Sequence, residues 1–151
     1  MLGPEEFHKT VEARTVTQLF GRTASIAVLA GNHLLMGKRR DNGKWTLPGG
    51  GLNEKELPLV GAFRELLEET GLAAPALKCL GHATVTGRTG RMVTVYAYLW
   101  ETYIRPTRTS QDPDQEVEAW EWIDITAGIP AGILRELQSP KNVTLQRMGL
   151  L

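Results

Sequence analysis

The chain has little cysteine, no excess charge and no long apolar run, and each shortage closes off a class of function. One cysteine, Cys79, in 151 residues cannot form an intramolecular disulfide and fits a reducing compartment. It reads as a half-buried strand residue, not a nucleophile. Seventeen basic residues cancel seventeen acidic ones, so no global field draws the protein to a nucleic-acid polymer or an anionic membrane surface. Any recognition of phosphate must be local. No apolar stretch approaches the roughly 20 residues that cross a bilayer, and Met1 to Glu6 lacks the basic-then-apolar layout of a signal peptide. The expectation is a soluble cytoplasmic protein, monomer or homodimer. His8, His33 and His82 show no metal-binding spacing and read as structural. There is no internal repeat and no low-complexity segment.

What is present is enough apolar material, 42% of the residues, for one ordinary core, so residues 1–151 are expected to form a single domain. Residues 10–20 carry a weak strand pattern. Thr23 to Ala30, with Ile26, Ala27, Val28 and Leu29 in succession, has the continuous run of a buried strand. Gly31-Asn32 supplies a tight turn, and His33 to Arg40 returns antiparallel, ending in Lys38-Arg39-Arg40. Leu77 to Gly87 and Arg91 to Trp100 read as strands, the second a central one that alternates cleanly. Ile104 to Gln115 is rich in Pro, Thr and Asp and reads as a long surface loop. Glu116 to Asp124 is a further strand, and a second helix follows Pro130 over Ala131 to Gln138.

The chain is organised around Gly50 to Leu72. Pro58 suits a first helical position and Gly71 the residue past the last, which predicts a helix over Pro58 to Thr70. Glu65, Glu68 and Glu69 then fall at i, i+3 and i+4 on one face, opposite a mostly apolar stripe of Leu59, Ala62, Phe63, Leu66 and Thr70. Like charges at that spacing oppose one another by about 0.2–0.5 kcal/mol per pair. Anions in the last turns also work against the macrodipole by about 0.3–1 kcal/mol each. The arrangement is either a solvated acidic face with Arg64 and Lys55 as neighbours or a set of oxygen ligands for a hard divalent cation. Just upstream, Trp45-Thr46-Leu47-Pro48 runs into Gly49-Gly50-Gly51, where bare backbone lets a ligand or metal approach closely, and this favours the second reading.

Gly50, five residues, Glu56, seven residues, then Arg64-Glu65-Leu66-Leu67-Glu68-Glu69-Thr70-Gly71-Leu72 resembles the complete signature of the Nudix hydrolases, with every fixed position filled across 23 of the 151 residues. The resemblance implies an α/β (α+β) fold, a mixed sheet sandwiched between helices. It also implies hydrolysis of a diphosphate linkage in a nucleoside diphosphate derivative, with Mg²⁺ or Mn²⁺ as cofactor. By the same resemblance Glu65, Glu68 and Glu69 hold metal, the Gly49 carbonyl adds a ligand, Gly50 lies against substrate, and Arg64 with Glu56 orients the cluster. Leu57, at the N-cap, departs from what a stable helix start would use.

Glu65 is the first choice for the residue that polarises the attacking water, with Glu69 beside it, although members of the family differ in which glutamate serves as base. Glu116, opening a strand after the long loop, resembles an acid that completes the metal site in some members; Glu118 and Asp114 are the alternatives. Arg39 resembles a substrate-contacting position. Trp45, Tyr96, Tyr98, Trp120 and Trp122 are aromatic candidates for stacking on a base, against the commoner role of strand aromatics as core. Thr86 to Gly90 lacks the proline that the ADP-ribose branch tends to carry and the tyrosine of the dinucleoside polyphosphate branch. By elimination the small-molecule substrate is a (d)NTP or an oxidised nucleotide, as in the MutT-like branch. Other readings are an ADP-ribose, sugar-nucleotide or dinucleoside polyphosphate pyrophosphatase, a catalytically silent nucleotide sensor, or a diphosphate-ester isomerase, for which this chain is short of cysteine and histidine.

Overall fold

Ile26 to Leu29 has no polar alternation because the strand that contains it is covered on both faces. In the computed structural model, which describes residues 20–87, 89–107, 117–138 and 142–151, β1 (Phe20–Ala30) lies inside a seven-stranded mixed sheet. It begins three residues earlier than the apolar run suggests; the strand pattern over residues 10–19 lies outside the described residues. One edge of β1 pairs in parallel along its whole length with β6 (Met92–Thr102). β6 in turn pairs antiparallel with the edge strand β5 (Lys78–Thr86).

The other edge of β1 is shared. Near its end it meets β2 (His33–Arg39) across the Gly31-Asn32 turn, with Leu29 opposite Leu34. Near its start it meets β4 (Gly49–Gly51), with Ala24 opposite Gly50. β2 diverges from β1 to pair with the two-residue β3 (Trp45–Thr46) on one side and β7 (Val117–Asp124) on the other. The run expected to be a plain glycine loop is therefore partly strand, because the backbone groups of β1 would otherwise be left unpaired there.

Two apolar cores lie on opposite sides of this sheet. Helix α1 (Pro58–Thr70) covers Ala24, Ile26, Val28, Leu35 and Tyr98 with Ala62 and Leu66. On the reverse side Ile133 of α2 (Ala131–Leu134) and Leu145 of α3 (Asn142–Arg147) pack on Ala27, Leu34, Met36, Leu47 and Leu99. The result is the sandwich the sequence implies. The second helix stops at Leu134, short of Gln138, because the chain turns there to hydrogen-bond β3: Trp45 N donates to the Glu136 carbonyl at 2.6 Å and Gln138 N to the Trp45 carbonyl at 2.7 Å. A third helix, unforeseen in the sequence, follows. Cys79 is exposed, not half-buried, since β5 is at the sheet edge and bulges between Cys79 and Gly81. No helix among the described residues is long and apolar enough to cross a membrane.

The expected bounds of α1 are those observed, with Pro58 in its first turn and Gly71 in the left-handed region at φ 74°. Its buried stripe is Gly61, Ala62, Leu66 and Thr70; Leu59, expected inside, is exposed, since the helix buries a narrower stripe than its apolar residues mark out. Leu57 is the N-cap, extended at φ −67° and ψ 137°, with no side-chain hydrogen bond to the first turn and 68% of its surface in solvent. Leu57→Ser would supply the missing acceptor and lose no buried contact. It is expected to stabilise the fold by about 1 kcal/mol, read as a higher denaturant midpoint at unchanged slope.

Candidate active site

Glu65, Glu68 and Arg64 are brought together by one turn of α1, and the loop before the helix adds Glu56. The Arg64 guanidinium grips Glu56 through two parallel bonds, Nε to Oε2 and Nη2 to Oε1, both 2.8 Å. Its Nη1 reaches Glu65 Oε1 and Glu68 Oε2, each at 3.0 Å, and Nη2 also donates to the Gly51 carbonyl at 3.1 Å. Thus one planar cation answers much of the repulsion noted on this face. The last turn of the helix contains no basic residue, and Arg64, reaching forward by four positions to Glu68, brings positive charge to this face.

The pairing depends on a loop held from outside. Arg22 on β1 donates to the carbonyls of Glu56 at 3.0 Å and Asn53 at 2.9 Å, and Glu56 Oε1 accepts from Asn53 N at 2.9 Å. Lys55 takes φ 64°, unusual for a residue with a side chain, and so turns the chain to aim Glu56 at Arg64. Gly61 completes the fit: a Cβ there would meet Leu52 and stand 2.8 Å from Glu56 Oε1. The Arg64 bonds, with the Asn53 N–H next, hold the Glu56 carboxyl down from 4.5 to about 2. Glu56, chiefly, raises Arg64 above its ordinary value, with Glu65 and Glu68 adding to the effect against the cost of partial burial.

Glu65 lies over the glycine run. A Cβ on Gly50 would be 2.5 Å from Glu65 Oε2 and 2.7 Å from its Cδ, so glycine is the residue that leaves this carboxylate its place. Gly49, at φ 148°, is packed so closely on the Ala24 carbonyl that it too excludes a side chain. Glu65 is 12% exposed and Glu68 51%, while Glu69 is half-buried on the same helix face. Among the described residues, no three acidic, histidine or cysteine side chains converge as a ready-made metal cage, since Glu65 and Glu68 both turn to Arg64. The donors on this face are nonetheless all oxygen, and the bare backbone at Gly50 opens the approach to Glu65, which suits a hard divalent cation.

The other expected residues are more scattered. Arg39 is bound at both ends of its fork by Asp41, Nε to Oδ1 at 2.9 Å and Nη2 to Oδ2 at 3.0 Å. Trp45 packs against the core on the side of the sheet away from α1. Glu116 and Asp114 lie outside the described residues, and Glu118 is an exposed residue of β7. Arg22 and Gly61 were missed from the sequence. Arg22 acts on residues 31 and 34 positions away, which no local spacing signals; a glycine inside a predicted helix was the available cue for Gly61.

Two measurements follow from this geometry. A carboxylate whose folded pKa is depressed stabilises the fold above its unfolded value and loses that contribution as the pH falls through the folded one. The melting-temperature difference between the protein and Glu56→Gln should therefore be full above pH 4.5 and shrink towards pH 2; a difference constant over that range contradicts a charged Glu56 on Arg64. Gly50→Ala should displace Glu65 and lower turnover by at least tenfold (about 1.4 kcal/mol) with the fold retained by circular dichroism. Unchanged kcat would show that Glu65 does not need its present position.

Comparison with known proteins bears on the family and the fold. The family model for the NUDIX domain matches residues 19–141. An RNA pyrophosphohydrolase of Bartonella quintana is 30% identical over 101 residues, 56% of this chain and 58% of that protein. A MutT-like protein of Streptomyces ambofaciens is 47% identical over 49 residues, 32% of each chain. These matches extend over about half or less of the relatives' own length. Among solved structures, a MutT NUDIX hydrolase from Burkholderia pseudomallei superposes with a TM-score of 0.70 at 22% identity, covering 85% of this chain and 97% of that one. A bifunctional NMN adenylyltransferase/ADP ribose pyrophosphatase from Francisella tularensis, solved with AMP and a manganese ion, gives a TM-score of 0.65 at 18% identity, covering 99% of this chain and 50% of that one. With a domain match over most of its length, on a fold shared with solved members, the chain belongs to the Nudix family.

Proposed function

We propose that the protein is a divalent-metal-dependent pyrophosphohydrolase that cleaves a phosphoanhydride in a small nucleotide, with a (d)NTP or an oxidised nucleotide as substrate. The observation that carries this reading is the placing of Glu65 over Gly50 while Arg64 holds Glu56, Glu65 and Glu68 together. Glu65, Glu68, Glu69 and the Gly49 carbonyl are the ligands for Mg²⁺ or Mn²⁺, with Glu116 as a further acid. The bound cation would draw charge from the phosphoryl oxygens and make a water more acidic.

The chain's own residues do the rest. Glu65, with Glu69 beside it on the helix, accepts the proton of the attacking water, and Arg64 fixes Glu65 in direction. Glycine backbone along β4 leaves the phosphates a close approach. Arg39, on the side of the sheet that bears α1, offers cationic charge to the phosphates if Asp41 yields it.

A second reading is suggested by the Bartonella relative: the triphosphate at the 5′ end of an RNA. Lys38, Arg40 and Lys44 are exposed around the turn between β2 and β3, a local cationic surface in a chain of zero net charge. A panel of nucleoside triphosphates, oxidised dNTPs, ADP-ribose, dinucleoside polyphosphates, sugar nucleotides and 5′-triphosphorylated RNA, scored for phosphate and pyrophosphate release, separates these substrates. Chelation of the metal is expected to abolish release, and Glu69→Gln to lower it by about 10²–10⁴-fold. Full activity in either case contradicts the proposal.

A further inference from the structure

Among the described residues, Lys55 is the one non-glycine residue in the left-handed region, at φ 64°. A long side chain is disfavoured there and persists only where its surroundings fix the backbone. A single strand residue supplies that fixing. Arg22 takes the loop at three points: its carbonyl accepts from Leu52 N at 2.9 Å, its Nη1 donates to the Glu56 carbonyl at 3.0 Å, and its Nη2 donates to the Asn53 carbonyl at 2.9 Å. The two carbonyls lie on either side of Lys55 in the chain, so the guanidinium bridges the turn from end to end. A planar fork suits this task, where an ammonium on a flexible stem offers donors at no set spacing. Inside the turn, Asn53 N donates to Glu56 Oε1 at 2.9 Å and Glu56 N to the Asn53 carbonyl at 3.0 Å.

The Arg22 guanidinium bonds to loop carbonyls, so what it does for the acids of α1 it does through Glu56. Both oxygens of Glu56 take a 2.8 Å bond from Arg64, and Arg64 reaches Glu65 and Glu68 from one nitrogen, Nη1, at 3.0 Å each. The plane of the Arg64 guanidinium, and with it the position of Nη1, is set by Glu56, and Glu56 by the turn. The far end of this series is firm. Arg22 stands opposite Thr94 in the parallel pairing of β1 with β6, and the next residue, Thr23, stands opposite Gly51 of β4. The turn is thus referred to a strand that is paired on both edges.

We propose that Arg22 is a positioning residue of the hydrolytic site: by clamping the Lys55 turn to β1 it fixes Glu56 and, through Arg64, the direction in which Glu65 meets the cation and the water. This deepens the pyrophosphohydrolase reading and rests on it. The clamp acts on reacting geometry, not on the contacts that hold a nucleotide, so its loss should fall on turnover and on metal affinity and leave substrate binding nearly unchanged. A displacement of about 1 Å made far from the chemistry can cost about 10²-fold in rate, and loss of a group behind a metal ligand costs about 10–100-fold in metal affinity. Arg22 is one link further back, and its effect is correspondingly smaller.

The test is a cycle of four proteins: the unaltered chain, Arg22→Met, Glu56→Gln and the double variant. Arg22→Met keeps the apolar stem and removes both donors. For the best nucleotide of the panel at saturating metal, it should lower kcat about tenfold with KM changed less than about threefold. Calorimetric titration with Mn²⁺ alone should show an affinity weaker by about threefold or more. In the Glu56→Gln background the same substitution should cost less than about twofold further in either quantity, because the two residues act in series. An unchanged kcat or Mn²⁺ affinity in folded Arg22→Met, a loss confined to KM, or losses that multiply with those of Glu56→Gln overturn the positioning role. If Arg22→Met fails to fold, Arg22→Gln, whose shorter amide cannot span the two carbonyls, takes its place in the cycle and the same results decide. Absence of turnover by the unaltered protein on every nucleotide overturns the hydrolase reading instead, and the Mn²⁺ titration then decides the role of Arg22 separately; absence of both turnover and Mn²⁺ binding overturns both.

Discussion

Three carboxylates share one guanidinium, and the loop, helix and sheet around the site are arranged so that this sharing is possible. Arg64 is partly exposed, but its bonds to Glu56 are short and doubled, and a doubled bond fixes the plane of the guanidinium as well as its position. Once that plane is set by Glu56, the remaining donor edge points at Glu65 and Glu68. The acids of α1 are thus held by an arginine of their own helix, whose direction is set by Glu56 from the loop outside it. Arg22 extends the support to β1, so the direction of a helix carboxylate is referred back to the most buried strand of the molecule.

The second constraint is steric and takes the form of missing side chains. Gly50 gives Glu65 its place, Gly61 gives Glu56 its place, and Gly37 gives Trp120 its place. Each is a point where two segments come closer than any Cβ would allow. The same strand, β1, binds β4 near its start and β2 near its end, and the divergence of those two partners along one edge separates the carboxylate region from the indole.

Much of the fold was legible. The helix from Pro58 to Thr70 was bounded by residues whose backbone preferences act locally, and the buried and alternating strands showed their periods directly. What was not legible depended on long-range partners. β3 and β4 exist because β2 and β1 offer them open edges. The shortening of α2 reflects hydrogen bonds to Trp45, and the exposure of Cys79 reflects its place on the edge strand of the sheet.

The sequence by itself determined the family, the helix from Pro58 to Thr70 and the three acids on one of its faces, because spacing along a helix converts to direction by a fixed 3.6-residue turn. Only the tertiary structure decided what those acids meet. The grip of Arg64 on Glu56, the seat of Glu65 over Gly50, and the placing of Trp120 against Gly37 with Trp45 on the far side of the sheet are contacts between segments. Their geometry is set by strand register and by the packing of two cores, quantities that no single stretch of sequence contains.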